Sequence, residues 1–88
     1  MPRLFIGSKV LRSSDSSCIL FSRNEFKQLF GRDFNQNTDV VLVMNGDGMS
    51  SQAHVDGCVY FADSDTIYAT FDRSWSGLIR VNYMVALA

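Results

Sequence analysis

Residues 66–87 carry the clearest pattern of apolar and polar positions in the chain. The segment 66–72 (TIYATFD) and the segment 78–87 (LIRVNYMVAL) both alternate with a period of two, which predicts two β-strands. In the second strand one face carries Ile79, Val81, Tyr83, Val85 and Leu87, and the other carries Leu78, Arg80, Asn82, Met84 and Ala86. That other face is more apolar than a water-facing strand usually is. We therefore predict an inner strand whose outer face meets another subunit.

Shorter apolar runs predict the remaining strands. These runs are residues 3–7, 18–22, 38–45, 51–57 and 58–62, and polar or glycine-containing turns separate them at 13–17, 35–37, 45–48, 63–65 and 73–77. The run 38–45 (TDVVLVMN) is apolar on both faces, which is typical of a central strand or of one whose outer face meets a partner. Short strands at intervals of about 8–12 residues are typical of antiparallel sandwiches. We predict an all-β fold, a small antiparallel β-sandwich of six to seven strands in one domain, residues 1–88.

One segment favours a short helix. Ser22 and Glu25 have the spacing of an N-cap residue and its capping-box partner, and Gly31 is suited to end the helix. The apolar residues that recur on one helical face are Phe26, Leu29 and Phe30. We predict at most two turns, with an irregular strand as the alternative.

Composition narrows the classes of partner. The 88-residue chain has a formal net charge of -1, so it lacks the basic field that attracts nucleic acid. Eight of the nine acidic residues are Asp, which favours turns over helix interiors. No apolar stretch reaches the length of a membrane span, and the first residues lack the apolar core of a signal peptide. We expect a protein made in the cytoplasm that binds neither nucleic acid nor membrane.

The residues that usually carry catalysis form no recognisable motif. His54 is the only histidine, and no serine stands in a nucleophile elbow, so we predict no enzyme and no cofactor. Cys18 and Cys58 are far apart without a CxxC spacing, and we predict free thiols over a disulfide. Oxygen ligands suited to calcium gather near the turns, but the EF-hand pattern is absent, and ordinary turn formation is the favoured interpretation. They are Asn45, Asp47, Asp56, Asp63 and Asp65.

Three aromatic residues stand apart from the predicted core: Tyr60, Tyr68 and Trp75. Tyr68 points away from Phe71 in the alternating strand, and Trp75 lies in a turn. Exposed aromatic side chains either anchor a protein interface or stack on a sugar ring, and the interface is the favoured interpretation. A tryptophan folded back onto its own domain is the third possibility. Asp72 and Arg73 flank the same turn, and Arg80 lies on the following strand, where a cross-strand Asp72–Arg80 ion pair would be a modest stabiliser.

The second half of the chain resembles small structural proteins of tailed bacteriophages. The resemblance rests on the strand before the Asn-Gly-Asp turn, on the TIYATFDRSWSG segment as a hairpin and on the final IRVNYMVA strand, with SSDSSCILFSR as an earlier match. The strand order with an apolar terminal strand is also similar to H-type lectin sandwiches. The resemblance implies a virion protein of the tail, fibre, collar or capsid-decoration type. It implies a symmetric homo-oligomer, a trimer, without catalytic activity.

The sequence therefore supports three hypotheses. The first is a non-enzymatic virion structural protein that contacts its own copies and other virion proteins. Its predicted contact residues are Tyr68, Trp75, Leu78, Arg80, Asn82 and Met84. The second is a carbohydrate- or receptor-binding module that recognises a host-surface glycan through Trp75 or Tyr68. The third is a small phage inhibitor of a host protein.

Overall fold

Two three-stranded antiparallel sheets and one short helix make up the fold, which confirms the predicted class. The structure is a computed structural model that describes residues 3–46 and 53–88. Its elements in chain order are β1 (Arg3–Ser13), β2 (Ser17–Phe21), α1 (Arg23–Phe30), β3 (Val40–Asn45), β4 (Val55–Phe61), β5 (Thr66–Phe71) and β6 (Gly77–Leu87). The first sheet has the strand order β1-β6-β3, and the second has the order β2-β5-β4.

The core lies between the two sheets and is built by alternation along the strands. Strand β6 is the central strand of the first sheet, and its neighbours β1 and β3 pair with it on both sides. Its inward residues Ile79, Val81, Val85 and Leu87 are buried, as are Ile67, Ala69 and Phe71 of β5. The C-terminal segment is thus an inner strand, as its period of two predicts.

Helix α1 has the predicted caps and contributes its apolar face to the core. The hydroxyl of Ser22 accepts the backbone N–H of Glu25 at 3.3 Å, which satisfies one of the free donors of the first turn. Gly31 ends the helix in the left-handed region at φ 88°, where a residue without a Cβ has no steric cost. The Phe26 ring is buried edge-on against Phe21 at a centroid distance of 5.8 Å.

Strand β1 is longer than predicted, because two of its inward positions are not apolar. Gly7 lies opposite Tyr83 across the strand pair, and a Cβ at Gly7 would lie 2.5 Å from the Tyr83 hydroxyl oxygen. Lys9 also points inward, where its ammonium group contacts the carbonyl oxygen of Leu20 and the carboxylate of Glu25. Both residues interrupt the apolar pattern, so the sequence predicted only residues 3–7.

Two other predictions about the strands were wrong. The runs 51–57 and 58–62 were expected to be separate strands, but β4 is one strand with a register shift between Val55 and Gly57. The expected hairpin of 66–77 does not form, because β5 and β6 belong to different sheets and the chain crosses between them at 72–76. The predicted Asn45–Gly48 turn lies partly outside the described residues.

Buried polar contacts join the edges of the sheets. The Asn45 side chain accepts the N–H of Val55 at 2.8 Å and donates to the carbonyl of Ala53 at 3.0 Å, which links the end of β3 to the start of β4. The Asp39 side chain, with 0% exposure, accepts two hydrogen bonds from Arg32 at 2.8 Å each. It also accepts the backbone N–H groups of Asn35 and Ala88. One carboxylate therefore holds the start of β3 and the end of β6.

Candidate functional site: the outer face of the first sheet

The largest apolar surface in the described part of the chain is the outer face of the first sheet. Its cross-strand rows are Leu4–Ala86–Val40, Ile6–Met84–Leu42, Ser8–Asn82–Met44, Val10–Arg80 and Arg12–Leu78. We call these thirteen residues the first-sheet face. Seven of them are large aliphatic residues that are at least half exposed: Leu4, Ile6, Val10, Val40, Leu42, Met44 and Leu78. A water-facing side of an antiparallel sheet is ordinarily polar, so this composition points to contact with another molecule.

An open groove of about 440 Å³ lies in this face. It is lined by Ile6, Gly7, Ser8, Met44, Asn82, Tyr83 and Met84. The groove follows from side-chain size, because the row containing Ser8 and Asn82 carries shorter side chains than the row containing Ile6. Ile6 stands at the edge of the groove and is 73% exposed, the highest value among the exposed large hydrophobic residues of the described chain.

Charge on the first-sheet face is confined to one end. Its two charged residues, Arg12 and Arg80, lie in the last two rows, and none of its residues is acidic. The opposite end consists of Leu4, Ala86 and Val40. The face therefore has an apolar end and a cationic end, which makes some orientations of a facing molecule more favourable than others.

Four of the six predicted contact residues lie on this face. Leu78, Arg80, Asn82 and Met84 all project from β6 on the side away from the core, as the alternation predicts. Their neighbours on β1 and β3 were missed as contact residues. The signal was present for β3, since residues 38–45 are apolar on both faces and β3 lies at the edge of its sheet.

Tyr68 lies on the other side of the molecule. It occupies the outer face of the second sheet, between Ile19 and Val59 of the neighbouring strands. Its ring contacts Phe61 edge-on at a centroid distance of 5.1 Å. We call Ile19, Val59, Phe61 and Tyr68 the second-sheet face. The structure thus separates Tyr68 from the four predicted residues of β6.

Trp75 is folded back onto its own domain. Its side chain packs against the hydrophobic core, and its indole N–H donates to the carbonyl of Leu78 at 3.1 Å. Its backbone N–H donates to the carbonyl of Asp15 at 3.2 Å. A ring held in this way supports the start of β6, and less of it is available for stacking on a sugar or anchoring a partner.

The predicted ion pair between Asp72 and Arg80 was wrong. Asp72 follows β5 of the second sheet, whereas Arg80 lies on the outer face of the first sheet. Asp72 instead accepts the backbone N–H of His54 at 2.9 Å, and the side chains of His54 and Arg73 lie within 3.5 Å of its carboxylate. The bond from the His54 N–H is the main cause of a lowered pKa of Asp72.

Residues with chemically reactive side chains do not form a recognisable catalytic or metal site in the described chain. Cys18 and Cys58 are both free and flank Ala69 of β5 on its two sides, so their Cα atoms lie about 9–10 Å apart, beyond disulfide reach. Burial raises the pKa of both thiols, which keeps them protonated. In residues 3–46 and 53–88, no three His, Cys, Asp or Glu side chains come together as metal ligands.

None of the helices in the described ranges is long and apolar enough to cross a membrane. Comparison of the chain with protein-family models, with curated proteins and with solved structures gave no significant match. The first-sheet face is therefore the feature on which a functional assignment has to rest.

Proposed function

We propose that this chain is a non-enzymatic assembly protein that associates with its own copies through the first-sheet face. The observation that supports the proposal is the area of that face. Seven half-exposed aliphatic side chains, each offering on the order of 100 Å², present roughly 700 Å², close to the ~800 Å² that each partner buries in a stable complex. Monomeric proteins rarely expose a contiguous apolar patch of more than about 600 Å².

A second copy is the occupant that the composition of the face favours. An interface between identical subunits is more apolar than a transient one, and the first-sheet face carries two charged residues in thirteen. A nucleic acid or an acidic partner would need more cations than Arg12 and Arg80 provide. A three-stranded sheet surface also suits packing of sheet against sheet at about 10 Å.

The setting that we propose for this assembly is the virion of a tailed bacteriophage. The proposal rests on the resemblance of the second half of the chain to small virion proteins, and on the suitability of an apolar sheet face for packing many copies. Other virion proteins would then contact the remaining surfaces. Mass spectrometry of purified particles should detect the chain at a copy number that is a multiple of its oligomeric state, and its absence from particles would contradict this setting.

The glycan-binding hypothesis has weaker support. It requires Trp75 or Tyr68 as a stacking platform, and Trp75 packs on the core with its N–H bonded to Leu78. Tyr68 is partly covered, and its ring contacts Phe61 edge-on at a centroid distance of 5.1 Å. A glycan array that gives no signal, with unchanged adsorption for Trp75→Ala, would argue against this hypothesis.

Light scattering coupled to gel filtration tests the assembly proposal. We expect an oligomer at micromolar concentration, either the trimer implied by the resemblance or a dimer, and a monomer would contradict the proposal. Leu42→Asp should increase the dissociation constant at least about 100-fold, because it places an unpaired charge within the apolar interface. Val59→Asp is the matched control: it adds the same charge to an exposed valine of the second-sheet face and should leave the mass unchanged.

A further inference from the structure

We infer that the assembly unit is a two-fold dimer in which Ile6 of each copy enters the groove of the other. The inference rests on the proposed self-association and specifies its geometry. It follows from three features of the first-sheet face: a projecting side chain, a groove beside it, and charges at one end only.

The projecting side chain and the groove are adjacent on the same strand. Ile6 is 73% exposed, and Ser8, two residues further along β1, lies in the groove next to Asn82. Side chains two residues apart on a strand lie about 6.6 Å apart on the same face. A face that carries a projection and an adjacent depression is complementary to itself when a two-fold axis passes midway between them.

The axis that satisfies this condition is perpendicular to the strands and parallel to the plane of the sheet. It passes between the Ile6–Met84–Leu42 row and the Ser8–Asn82–Met44 row. Each row then faces the other row of the partner subunit, so Ile6 lies over Ser8 of the partner subunit, and the reverse contact is made at the same time. The β6 strands of the two copies run antiparallel to each other.

The distribution of large and small residues fits the same axis. The next pair of rows places Ala86 opposite Arg80 of the partner subunit, and Leu4 opposite Val10 of the partner subunit. The small side chain of Ala86 leaves space for the long side chain of Arg80. Along β6 the long side chains then meet shorter ones, since Met84 lies over Asn82 of the partner subunit in the same way.

The position of the charges disfavours the alternative two-fold arrangement with an axis along β6. That axis would place Arg80 directly over Arg80 of the partner subunit, with no acidic residue on either face to compensate. Like charges facing each other in an interface are unfavourable. The perpendicular axis moves the two cationic ends to opposite ends of the interface, where each meets the apolar end of the other copy.

An exchange of the two residues tests the inference. The variants are Ile6→Ser, Ser8→Ile and the double variant I6S/S8I, which has the composition of the native chain. Both sites are exposed, so thermal unfolding should show that all three variants fold. Each single variant should increase the dissociation constant about tenfold or more, the first by emptying the groove of the partner and the second by filling it. The double variant should return to within about threefold of the native value, since the projection and the depression have then changed places and still face each other across the axis.

Three results would overturn the inference. The first is tighter association of Ser8→Ile, which would show that apolar area alone determines affinity. The second is a double variant whose loss of association free energy equals the sum of the losses in the two single variants. The third is a native oligomer that is a trimer. All three leave the proposed self-association intact, because the native chain still associates. A native chain that is monomeric at micromolar concentration would overturn the proposed function as well.

Discussion

The two sheets present outer faces of different apolar area, and this difference separates the proposed interface from ordinary exposed surface. The first-sheet face offers roughly 700 Å² of aliphatic area and holds a groove, whereas the second-sheet face offers about 300 Å², which lies within the range of the largest patch on a typical monomer. Both faces contain exposed apolar residues. The area of the patch, rather than the presence of exposed apolar residues, therefore distinguishes the proposed interface from the second-sheet face.

The faces also differ in the contacts that stabilise them. The first-sheet face depends on β3, an edge strand, and on the end of β6, and the Asp39 carboxylate bonds to the segments beside both. In the second-sheet face, Phe61 and Tyr68 contact each other directly at a centroid distance of 5.1 Å. Substitutions that remove one of these contacts should therefore destabilise one sheet more than the other.

The largest effect on stability is expected for Asp39→Asn. The amide has one acceptor oxygen in place of two, so it cannot accept all of the hydrogen bonds from Arg32 and from the two backbone N–H groups. The free energy of unfolding should therefore fall by about 2–3 kcal/mol. Hydrogen exchange should show loss of protection in β3 and β6 before β4 and β5. Equal loss in both sheets would show that Asp39 does not hold the first sheet selectively.

Acid should act on the same contact. The guanidinium of Arg32 holds the pKa of Asp39 well below its usual range, so the folded chain favours the carboxylate. Its stabilising contribution is fully present above the unfolded pKa of about 4 and is lost as the pH falls below that value. Urea unfolding between pH 3 and 6 should show that the free energy of unfolding falls more steeply with decreasing pH in the native chain than in Asp39→Asn. Asp63→Asn, which removes an exposed carboxylate from a turn, should keep the native slope.

A smaller effect is expected for Gly7→Ala. The added Cβ would lie 2.5 Å from the Tyr83 hydroxyl oxygen, so the Tyr83 ring must shift within the core at a cost of about 1–2 kcal/mol. Chemical denaturation measures this loss. Ser8→Ala, which changes the next residue on the outward side of β1, should alter stability by less than about 0.5 kcal/mol. A native-like stability for Gly7→Ala would mean that the ring moves at no cost.

The smallest effect is expected for Phe61→Ala. The side chain is half exposed and its contact with Tyr68 contributes about 0.5–1 kcal/mol, so stability should decrease by about that amount. Sedimentation velocity should give an unchanged dissociation constant, because the second-sheet face lies outside the proposed interface. Loss of association in this variant would remove the distinction between the two faces.

Local signals in the sequence were sufficient to predict much of the fold. The period of two over residues 78–87 predicted β6 and its inward residues, and Ser22 and Gly31 marked the ends of α1. These predictions depend on residues within a few positions of one another. Four contact residues on β6 could be chosen for the same reason, since alternation assigns each side chain to a face.

The remaining features depend on partners that are distant in sequence. Gly7 and Lys9 interrupt the pattern of β1 because they face Tyr83, Leu20 and Glu25, and no local rule predicts those neighbours. The Asp72–Arg80 pair was expected from proximity in sequence, but consecutive strands entered different sheets. The full first-sheet face likewise became visible only when β1 and β3 were placed on either side of β6.

The inward position of Lys9 also protects one edge of the first sheet. Strand β1 is an edge of its sheet, and an unprotected edge would allow further strands to add one after another into a fibre. A charged group turned inward on that edge disfavours such addition. If the proposed assembly forms, strand addition at β1 is thus disfavoured relative to the two-fold contact between faces, which closes on itself.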